Sequence, residues 1–121
     1  MWKLDQAGGS PNPIKVLFVC GRNRRRSPTA ERIFRGDPRL SVRSAGSSDS
    51  SKRRITEGDL VWADLLLVME RRYAARIRAL FPDTAIPPMR SLDIPDEYDY
   101  MDAELIDLLQ SAVEHELDEP P

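Results

Sequence analysis

A short, mostly apolar run that leads directly into the start of a helix constrains this chain most. Residues 14–19, Ile-Lys-Val-Leu-Phe-Val, are typical of a buried strand, and the run ends at Cys20. Ser27 and Pro28 follow, and both residue types are common where a helix begins, serine as the N-cap and proline in the first turn. A strand joined by a short loop to a helix is the unit from which parallel α/β sheets are built. We therefore expect the rest of the chain to be arranged around this unit.

Strand and helix patterns alternate along the rest of the chain, which predicts an α/β fold. The expected strands are 14–19, 40–44, 63–69 and 89–94. The expected helices are 27–35, 70–81 and a last one capped by Asp102, with a short helix capped by Thr56 before the third strand. Pro87 and Pro88 place the fourth strand at an edge, because proline cannot donate to a neighbouring strand. Together these elements predict a three-layer sandwich with a central four-stranded parallel sheet.

Length and composition indicate a single globular domain. The 121 residues are 40% hydrophobic and 31% charged, and no apolar run approaches the roughly 20 residues that a membrane span needs. We expect a flexible tail over residues 1–13, one domain over 14–117 and a C-terminal tail over 118–121. A single cysteine excludes an internal disulfide, and a single histidine without clustered ligands favours no metal and no cofactor. A reducing, cytoplasmic location is the simplest interpretation.

The net charge of −2 hides a segregation of charge along the chain. Arginine and lysine far outnumber the acids between Cys20 and Arg54, whereas no arginine or lysine follows Arg90. A basic segment of this kind suits an anion, which could be a phosphate or a nucleic acid. Charge alone does not choose between these two ligands.

The loop between the first strand and the first helix has the residues for an anion site. A helix N-terminus and loop amides attract a phosphate, and the guanidinium of Arg26 can hold two of its oxygens. The same surroundings stabilise a thiolate, so Cys20 becomes a candidate nucleophile. This arrangement predicts a phosphatase that forms a cysteinyl-phosphate. The alternative is a buried, inert cysteine, which leaves the surrounding arginines unexplained.

A second loop, over residues 93–100, supplies carboxylates and aromatic rings together. Cleavage of a phosphate ester needs a proton for the departing oxygen, usually from a positioned acid. Asp93 and Asp96 are both candidates, because this loop also follows the carboxyl end of a predicted strand. The alternative for either aspartate is a turn residue beside Pro95.

From residue 16 to about residue 117, the chain resembles the low-molecular-weight protein tyrosine phosphatases. The matching segments are Val16–Cys20 with Asn23 and Arg26-Ser27-Pro28, Ser44-Ala45-Gly46, Ile55-Thr56 with Asp59, residues 64–70 and residues 94–98. The first of these matches the family's C-x5-R-S phosphate loop, or P-loop. The resemblance implies a phosphatase I-like fold and hydrolysis of phosphotyrosine or small aryl phosphates. The implied partners are a phosphorylated protein or a small aryl phosphate, with phosphate-like oxyanions as inhibitors.

The resemblance also implies roles for individual residues. Cys20 would be the nucleophile, Arg26 would bind the phosphate and its transition state, and Asp96 would be the general acid. Asn23 would hold the loop backbone, and the hydroxyl of Ser27 would stabilise the thiolate. The residues expected to bind the substrate or its phosphate are Gly21, Arg22, Asn23, Arg24, Arg25, Ser27 and Tyr98.

Several residues depart from the family pattern. The family usually has glycine where Arg22 stands and smaller or apolar residues where Arg24 and Arg25 stand. Many members carry a second cysteine at the position of Arg25. The loop over residues 47–54 is much shorter than in typical members. The acid does not belong to the usual Asp-Pro pair, so Asp93 is kept as the reserve acid. We therefore expect a shallow, open and very basic pocket with weak selectivity or reduced activity.

Two other functions stay open. The first is a catalytically weak module whose arginines hold a phosphate, a phosphoprotein or, less favoured, a nucleic acid. Its prediction is tight anion binding without turnover. The second is an arsenate reductase, which shares this fold and loop. The resemblance implies that this chemistry needs additional cysteines, so with Cys20 alone it would operate only with external thiols. No membrane partner is expected.

Overall fold

The computed structural model describes residues 12–118, which form four strands and four helices. In chain order they are β1 (Ile14–Cys20), α1 (Arg26–Phe34), β2 (Leu40–Gly46), α2 (Glu57–Trp62), β3 (Leu65–Val68), α3 (Arg71–Leu80), β4 (Met89–Ser91) and α4 (Ala103–Asp118). Most of the two predicted tails, residues 1–11 and 119–121, lies outside the described residues. Asp118 was predicted to begin the C-terminal tail but is the last residue of α4. None of the helices in the described range is long and apolar enough to cross a membrane.

The four strands form one parallel sheet in the order β2-β1-β3-β4, which confirms the predicted fold class. β1 pairs with β2 from Ile14 opposite Leu40 to Cys20 opposite Gly46. β4 lies at an edge, as the two prolines before it indicated. α1 packs on β1 and β2 and against α4, whereas α3 packs on β3 and β4.

The core is built around the two inner strands. Residues 16–19 of β1 and residues 65–67 of β3 have no exposed surface, because helices cover both faces of a parallel sheet. Phe18 of β1 stacks on Phe34 of α1, with 5.9 Å between the ring centroids. Each large apolar side chain buried in this way contributes about 1.5–3 kcal/mol. The strand that carries Cys20 is therefore held firmly in place.

Side-chain caps explain where two of the helices begin. At α2, Thr56 Oγ1 accepts from the backbone N–H of Asp59 at 3.2 Å, and Asp59 Oδ2 accepts from the N–H of Thr56 at 3.0 Å. This reciprocal pair is the predicted capping box. At α4, Asp102 Oδ1 accepts from the N–H of Glu104 at 2.8 Å. Both caps were predicted from the residue types alone.

The predicted cap of α1 was wrong. The N-cap is Arg25, and no side chain caps this helix end. Ser27 lies within the first turn, and its hydroxyl faces the sulfur of Cys20 rather than the helix backbone. The uncapped helix end borders the loop that follows β1, so its N–H groups remain available to a ligand.

The fourth strand ends earlier than the predicted residue 94. Asp93 has a φ of 53°, in the left-handed region, and this residue interrupts the strand. The chain nevertheless stays paired with the end of β3. Leu92 donates its N–H to the carbonyl of Val68 at 2.8 Å, and Ile94 donates to the carbonyl of Met69 at 2.9 Å. This pairing brings the following loop, with Asp96, alongside the end of β1.

Candidate active site

A cavity of about 710 Å³ lies at the carboxyl ends of the inner strands. Its walls come from the loops after β1, β2 and β4 and from α3. The lining residues are Cys20, Gly21, Arg22, Arg24, Arg25, Arg26, Ser47, Ser48, Arg72, Tyr73, Arg76 and Asp96. The direction of the strand order reverses between β1 and β3, which is where open α/β sheets bind their ligands.

Seven of the eleven residues predicted for the site line this cavity. They are Cys20, Gly21, Arg22, Arg24, Arg25, Arg26 and Asp96. Asn23 and Ser27 are buried beside Cys20 and connect to it through hydrogen bonds. Asp93 and Tyr98 do not line the cavity, because each side chain is directed to another partner.

The sulfur of Cys20 lies 2.9 Å from the hydroxyl oxygen of Ser27. Asn23 donates its side-chain N–H to that same oxygen at 3.0 Å. The oxygen therefore acts as an acceptor towards Asn23, and its own proton can be directed either to the sulfur or to the carbonyl of Ala45, which lies 3.5 Å away. Asn23 has a φ of 54°, a left-handed conformation that asparagine tolerates better than most residues. This arrangement places a hydroxyl group within donating distance of the sulfur of Cys20.

The backbone of the loop after β1 presents unused donors. Among residues 12–118, no backbone hydrogen bond outside the strands and helices has an N–H of residues 21–27 as its donor. The N-terminus of α1, which has no side-chain cap, is part of this segment. A run of N–H groups at a helix N-terminus is the arrangement that binds phosphate in many proteins.

The loop after β2 packs closely against the loop after β1. Ser48 donates its N–H to the carbonyl of Gly21 at 2.8 Å, and the hydroxyl of Ser51 donates to the same carbonyl at 3.0 Å. Gly46 makes this approach possible, because a Cβ on it would lie 2.1 Å from the hydroxyl oxygen of Ser51. The short loop therefore supports the loop that carries Cys20.

Arg26 is buried and is held from three directions. Its Nη1 donates to Glu70 Oε2 at 2.5 Å and to the carbonyl of Ile94 at 2.7 Å, and its Nη2 donates to the hydroxyl of Tyr73 at 2.7 Å. An arginine has five N–H donors, so these bonds leave Nε–H and one N–H of Nη2 without a hydrogen bond to any described residue. Those two donors share one edge of the guanidinium, which is the geometry that grips two oxygens of a phosphate.

The charges around Arg26 support one another. Burial opposes the charge of Arg26, but hydrogen bonds to Glu70 and Tyr73 outweigh it and raise its pKa. Burial also tends to raise the pKa of Glu70, yet hydrogen bonds from Arg26, Arg72 and Tyr73 lower it overall. The pKa of Tyr73 is raised, with burial as the largest cause. At neutral pH the centre of the site is therefore a charged Arg26–Glu70 pair beside a neutral phenol.

The structure separates the two candidate acids. Asp96 lines the cavity, and its Oδ1 lies 3.8 Å from Nε of Arg26, so it stands beside the free edge of that guanidinium. Asp93 accepts a hydrogen bond from the hydroxyl of Ser91 at 2.7 Å and lies 3.8 Å from Arg71. Of the two, Asp96 is therefore the one that lines the cavity together with Cys20 and Arg26.

Tyr98 was predicted to contact the substrate, but its hydroxyl donates to Glu104 Oε2 at 2.8 Å and its ring packs on the core. This bond raises the pKa of Tyr98, because the neighbouring carboxylate favours the neutral phenol. The tyrosine that does line the cavity is Tyr73, which sequence reasoning missed. Its position at the start of α3, directly after β3, could have indicated a place at the cavity. That indication requires knowing that β3 lies beside β1 in the sheet.

Four further lining residues were also missed. They are Ser47, Ser48, Arg72 and Arg76. Arg72 lies 3.2 Å from Glu70, and Arg76 donates to the carbonyl of Ser47 at 3.4 Å. Both arginines add positive charge to the wall opposite the loop after β1. No group of three or more potential metal ligands occurs within residues 12–118.

Comparisons place this architecture among known structures. No family model matches the sequence, and no curated protein matches it. Low-molecular-weight protein tyrosine phosphatase SP-PTP from Streptococcus pyogenes is 18% identical, with 86% of this chain and 91% of that chain covered and a TM-score of 0.71.

Two further structures were solved with ligands. Wzb from Vibrio vulnificus, in complex with benzylphosphonate, is 23% identical, with 88% of this chain and 98% of that chain covered and a TM-score of 0.69. The tyrosine phosphatase Wzb from Escherichia coli K30, in complex with phosphate, is 23% identical, with the same coverage and a TM-score of 0.68. This chain therefore has the fold of the low-molecular-weight protein tyrosine phosphatases.

Proposed function

We propose that this chain hydrolyses phosphomonoesters, such as phosphotyrosine or small aryl phosphates, through a phosphate bound covalently to Cys20. The observation that carries the proposal is that Cys20 lies on the same cavity as Arg26, with the hydroxyl of Ser27 2.9 Å from its sulfur. A stabilised thiolate beside an arginine edge and a row of backbone donors is suited to attack on a bound phosphoryl group.

The reaction has two steps. The thiolate of Cys20 attacks phosphorus, an S–P bond forms and the bond from phosphorus to the ester oxygen breaks, while Asp96 gives its proton to that oxygen. A water molecule then attacks phosphorus, Asp96 takes its proton, and the S–P bond breaks to return the thiolate and release phosphate. Arg26 and the N–H groups of the loop hold the phosphoryl oxygens in both steps.

The fold and its neighbours support this proposal. Two of the similar structures hold phosphate or benzylphosphonate, and both molecules carry a tetrahedral oxyanion, the kind of group that arginines and free backbone N–H groups attract. We also propose that phosphate-like oxyanions such as vanadate inhibit this chain by occupying the same place. A lone, unprotected thiol works best in a reducing compartment, so we place the activity in the cytoplasm.

The direct test is hydrolysis of phenyl phosphate at mildly acidic pH with a reductant present, for wild type and Cys20→Ser. The proposal predicts turnover by wild type, its loss in Cys20→Ser and competitive inhibition by vanadate. Turnover that survives the Cys20→Ser change would refute a covalent intermediate on this residue. Circular dichroism of both proteins checks that the variant is folded.

The second candidate is a module that binds phosphorylated ligands without turnover. The excess of arginines around the cavity favours it, since anion binding needs charge but no acid. This function predicts that vanadate or phosphate binds wild type, while phenyl phosphate is not hydrolysed by wild type or by Asp96→Asn. Measurable hydrolysis of phenyl phosphate by wild type would by itself exclude a module that only binds.

A further inference from the structure

Three arginines on the wall of the cavity have no partner of their own. The side chains of Arg22, Arg24 and Arg25 are exposed, and no ion pair or hydrogen bond joins any of them to another residue in the range 12–118. Within that range, Arg78 is the only other arginine whose side chain is exposed and makes no ion pair or hydrogen bond, and it lies outside the cavity. Unpartnered guanidinium groups are therefore concentrated in one four-residue stretch.

The cavity carries more positive charge than one phosphate neutralises. It is lined by Arg22, Arg24, Arg25, Arg26, Arg72 and Arg76. The carboxylates in contact with these arginines are those of Asp96, on the cavity wall, and Glu70 beside it. Six positive charges against two negative ones leave a formal excess of four. A phosphate monoester brings about two negative charges at pH 7.

The size and chemistry of the cavity also suit a ligand larger and more charged than a single phosphate. A volume of about 710 Å³ is that of pockets for whole small molecules, so there is room beyond the reacting phosphoryl group. Tyr73 is the one aromatic residue on the wall as described, and its hydroxyl is engaged with Arg26. Tyr98, the ring expected beside the substrate, is tied to Glu104 instead. Recognition of the rest of the ligand must therefore depend on charge more than on stacking.

We propose that the ligand of this cavity carries a second phosphate group, which Arg22, Arg24 and Arg25 bind while Arg26 holds the first. A second phosphate suits the three free guanidinium groups better than a carboxylate does, because it offers three terminal oxygens and about two charges instead of two oxygens and one charge. The identification of this ligand as a substrate rests on the proposed function. The binding of its second phosphate is independent of that function, because binding requires no turnover.

The test compares two aryl phosphates that differ by one phosphate group, phenyl phosphate and 1,3-phenylene bisphosphate. Their dissociation constants are measured by calorimetry with Cys20→Ala, which has no nucleophile. The same measurement is repeated after adding Arg22→Gln, Arg24→Gln and Arg25→Gln together. Arg78→Gln in the same background is the control, since it removes one exposed, unpartnered arginine outside the cavity, whereas the triple change removes three on its wall. We expect the bisphosphate to bind about tenfold more tightly, a preference that the triple change abolishes and Arg78→Gln preserves.

Other outcomes overturn the proposal. Equal affinity for the two compounds would show that no second phosphate is bound. If the preference for the bisphosphate survives the triple change, the second phosphate binds elsewhere. If Arg78→Gln also removes the preference, that preference reflects only the overall electrostatic field of the protein. A further comparison uses a phosphotyrosine peptide flanked by glutamates and its counterpart flanked by glutamines. If the glutamates increase affinity by a larger factor than the second phosphate of the bisphosphate does, the second anion is a carboxylate. Turnover of phenyl phosphate by wild type, measured separately, decides the proposed function whichever way the binding result falls.

Discussion

At the scale of single residues, the site depends on side chains that hold other side chains. Arg26 is fixed by Glu70, Tyr73 and the carbonyl of Ile94, so its free edge has one orientation. The sulfur of Cys20 contacts the hydroxyl of the buried Ser27. An active site needs groups held to within a fraction of an ångström, and packed, hydrogen-bonded neighbours supply that precision. Substitutions behind the reacting groups are therefore expected to change reactivity.

Ser27→Ala should make Cys20 less reactive. The change removes the hydroxyl that lies 2.9 Å from the sulfur, and a hydrogen bond to a charged group is worth about 1.5–3 kcal/mol. We expect the rate of alkylation of Cys20 by iodoacetamide at pH 6 to fall about tenfold. Ser44→Ala is the control, because its hydroxyl bonds to Glu31 and not to the site. Equal alkylation rates in wild type and Ser27→Ala would show that the hydroxyl does not support the thiolate.

Asp96→Asn should slow the release of poor leaving groups. We expect kcat for phenyl phosphate to fall about 100-fold, since a positioned general acid contributes that much or more. The effect on kcat/KM should be small for 2,4-dinitrophenyl phosphate, whose leaving group departs without a proton, because kcat/KM does not include the later step in which Asp96 acts as the base. Asp93→Asn is the matched control and should stay near the wild-type rate, because Asp93 is directed to Ser91 and Arg71. Equal losses in the two variants would contradict the assignment of Asp96.

At the scale of secondary-structure elements, a short helix owes its position to one buried carboxylate. α2 has six residues, too few to be stable alone, and Asp59 ties it to its surroundings. This side chain is 1% exposed, completes the capping box with Thr56 and accepts from Arg53 at 2.5 Å. Burial alone would raise the pKa of Asp59, but the hydrogen bonds from Arg53 and Thr56 outweigh it and lower the pKa.

Asp59→Asn should destabilise the protein by about 1–3 kcal/mol at pH 7, because the buried amide cannot replace both charge-assisted bonds. A carboxyl with a lowered pKa in the folded state stabilises the protein above its unfolded pKa of about 3.9. That stabilisation is lost as the pH falls through the lower, folded pKa. Urea unfolding at pH 7 and at acidic pH should show a smaller difference between wild type and variant at acidic pH. A difference that stays constant with pH, or matches that of exposed Asp83→Asn, would contradict this role.

At the scale of the whole molecule, the central strand connects the core to the cavity. β1 lies between β2 and β3, its residues 16–19 are fully buried, and Cys20 ends it at the cavity. Stability and the geometry of the site therefore depend on the same strand. The acidic α4 packs against α1 and contributes no residue to the cavity wall.

Phe18→Ala should cost about 3–5 kcal/mol in the free energy of unfolding, because it leaves a hole beside Phe34 that the sheet cannot close. That is a large part of the roughly 5–15 kcal/mol that holds a domain together. Urea denaturation measures the loss. Val61→Ala is the control: this side chain is 75% exposed, and the change should stay within about 0.5 kcal/mol. Similar losses in the two variants would refute the central position of Phe18.

Local sequence was sufficient where neighbours along the chain decide the outcome. The alternation of strands and helices, the capping box at Thr56 and the cap at Asp102 depend on contacts within a few residues, and the structure has all of them. Cys20 and Arg26 come together for the same reason, because five residues of loop separate them. Ser27 was misplaced as a helix cap because its hydroxyl has a better partner in the sulfur of Cys20.

Contacts between distant segments were decided only by the tertiary structure. The strand order brings the start of α3 to the cavity, so Tyr73 and Arg72 line it although no local pattern marks them. The left-handed turn at Asp93 directs that carboxylate away and leaves Asp96 beside Arg26. Sequence periodicity carries the order of elements and the face that each one buries. Which side chains meet at the end of the sheet depends on strand order and loop conformation, and these are set by the packing of the whole chain.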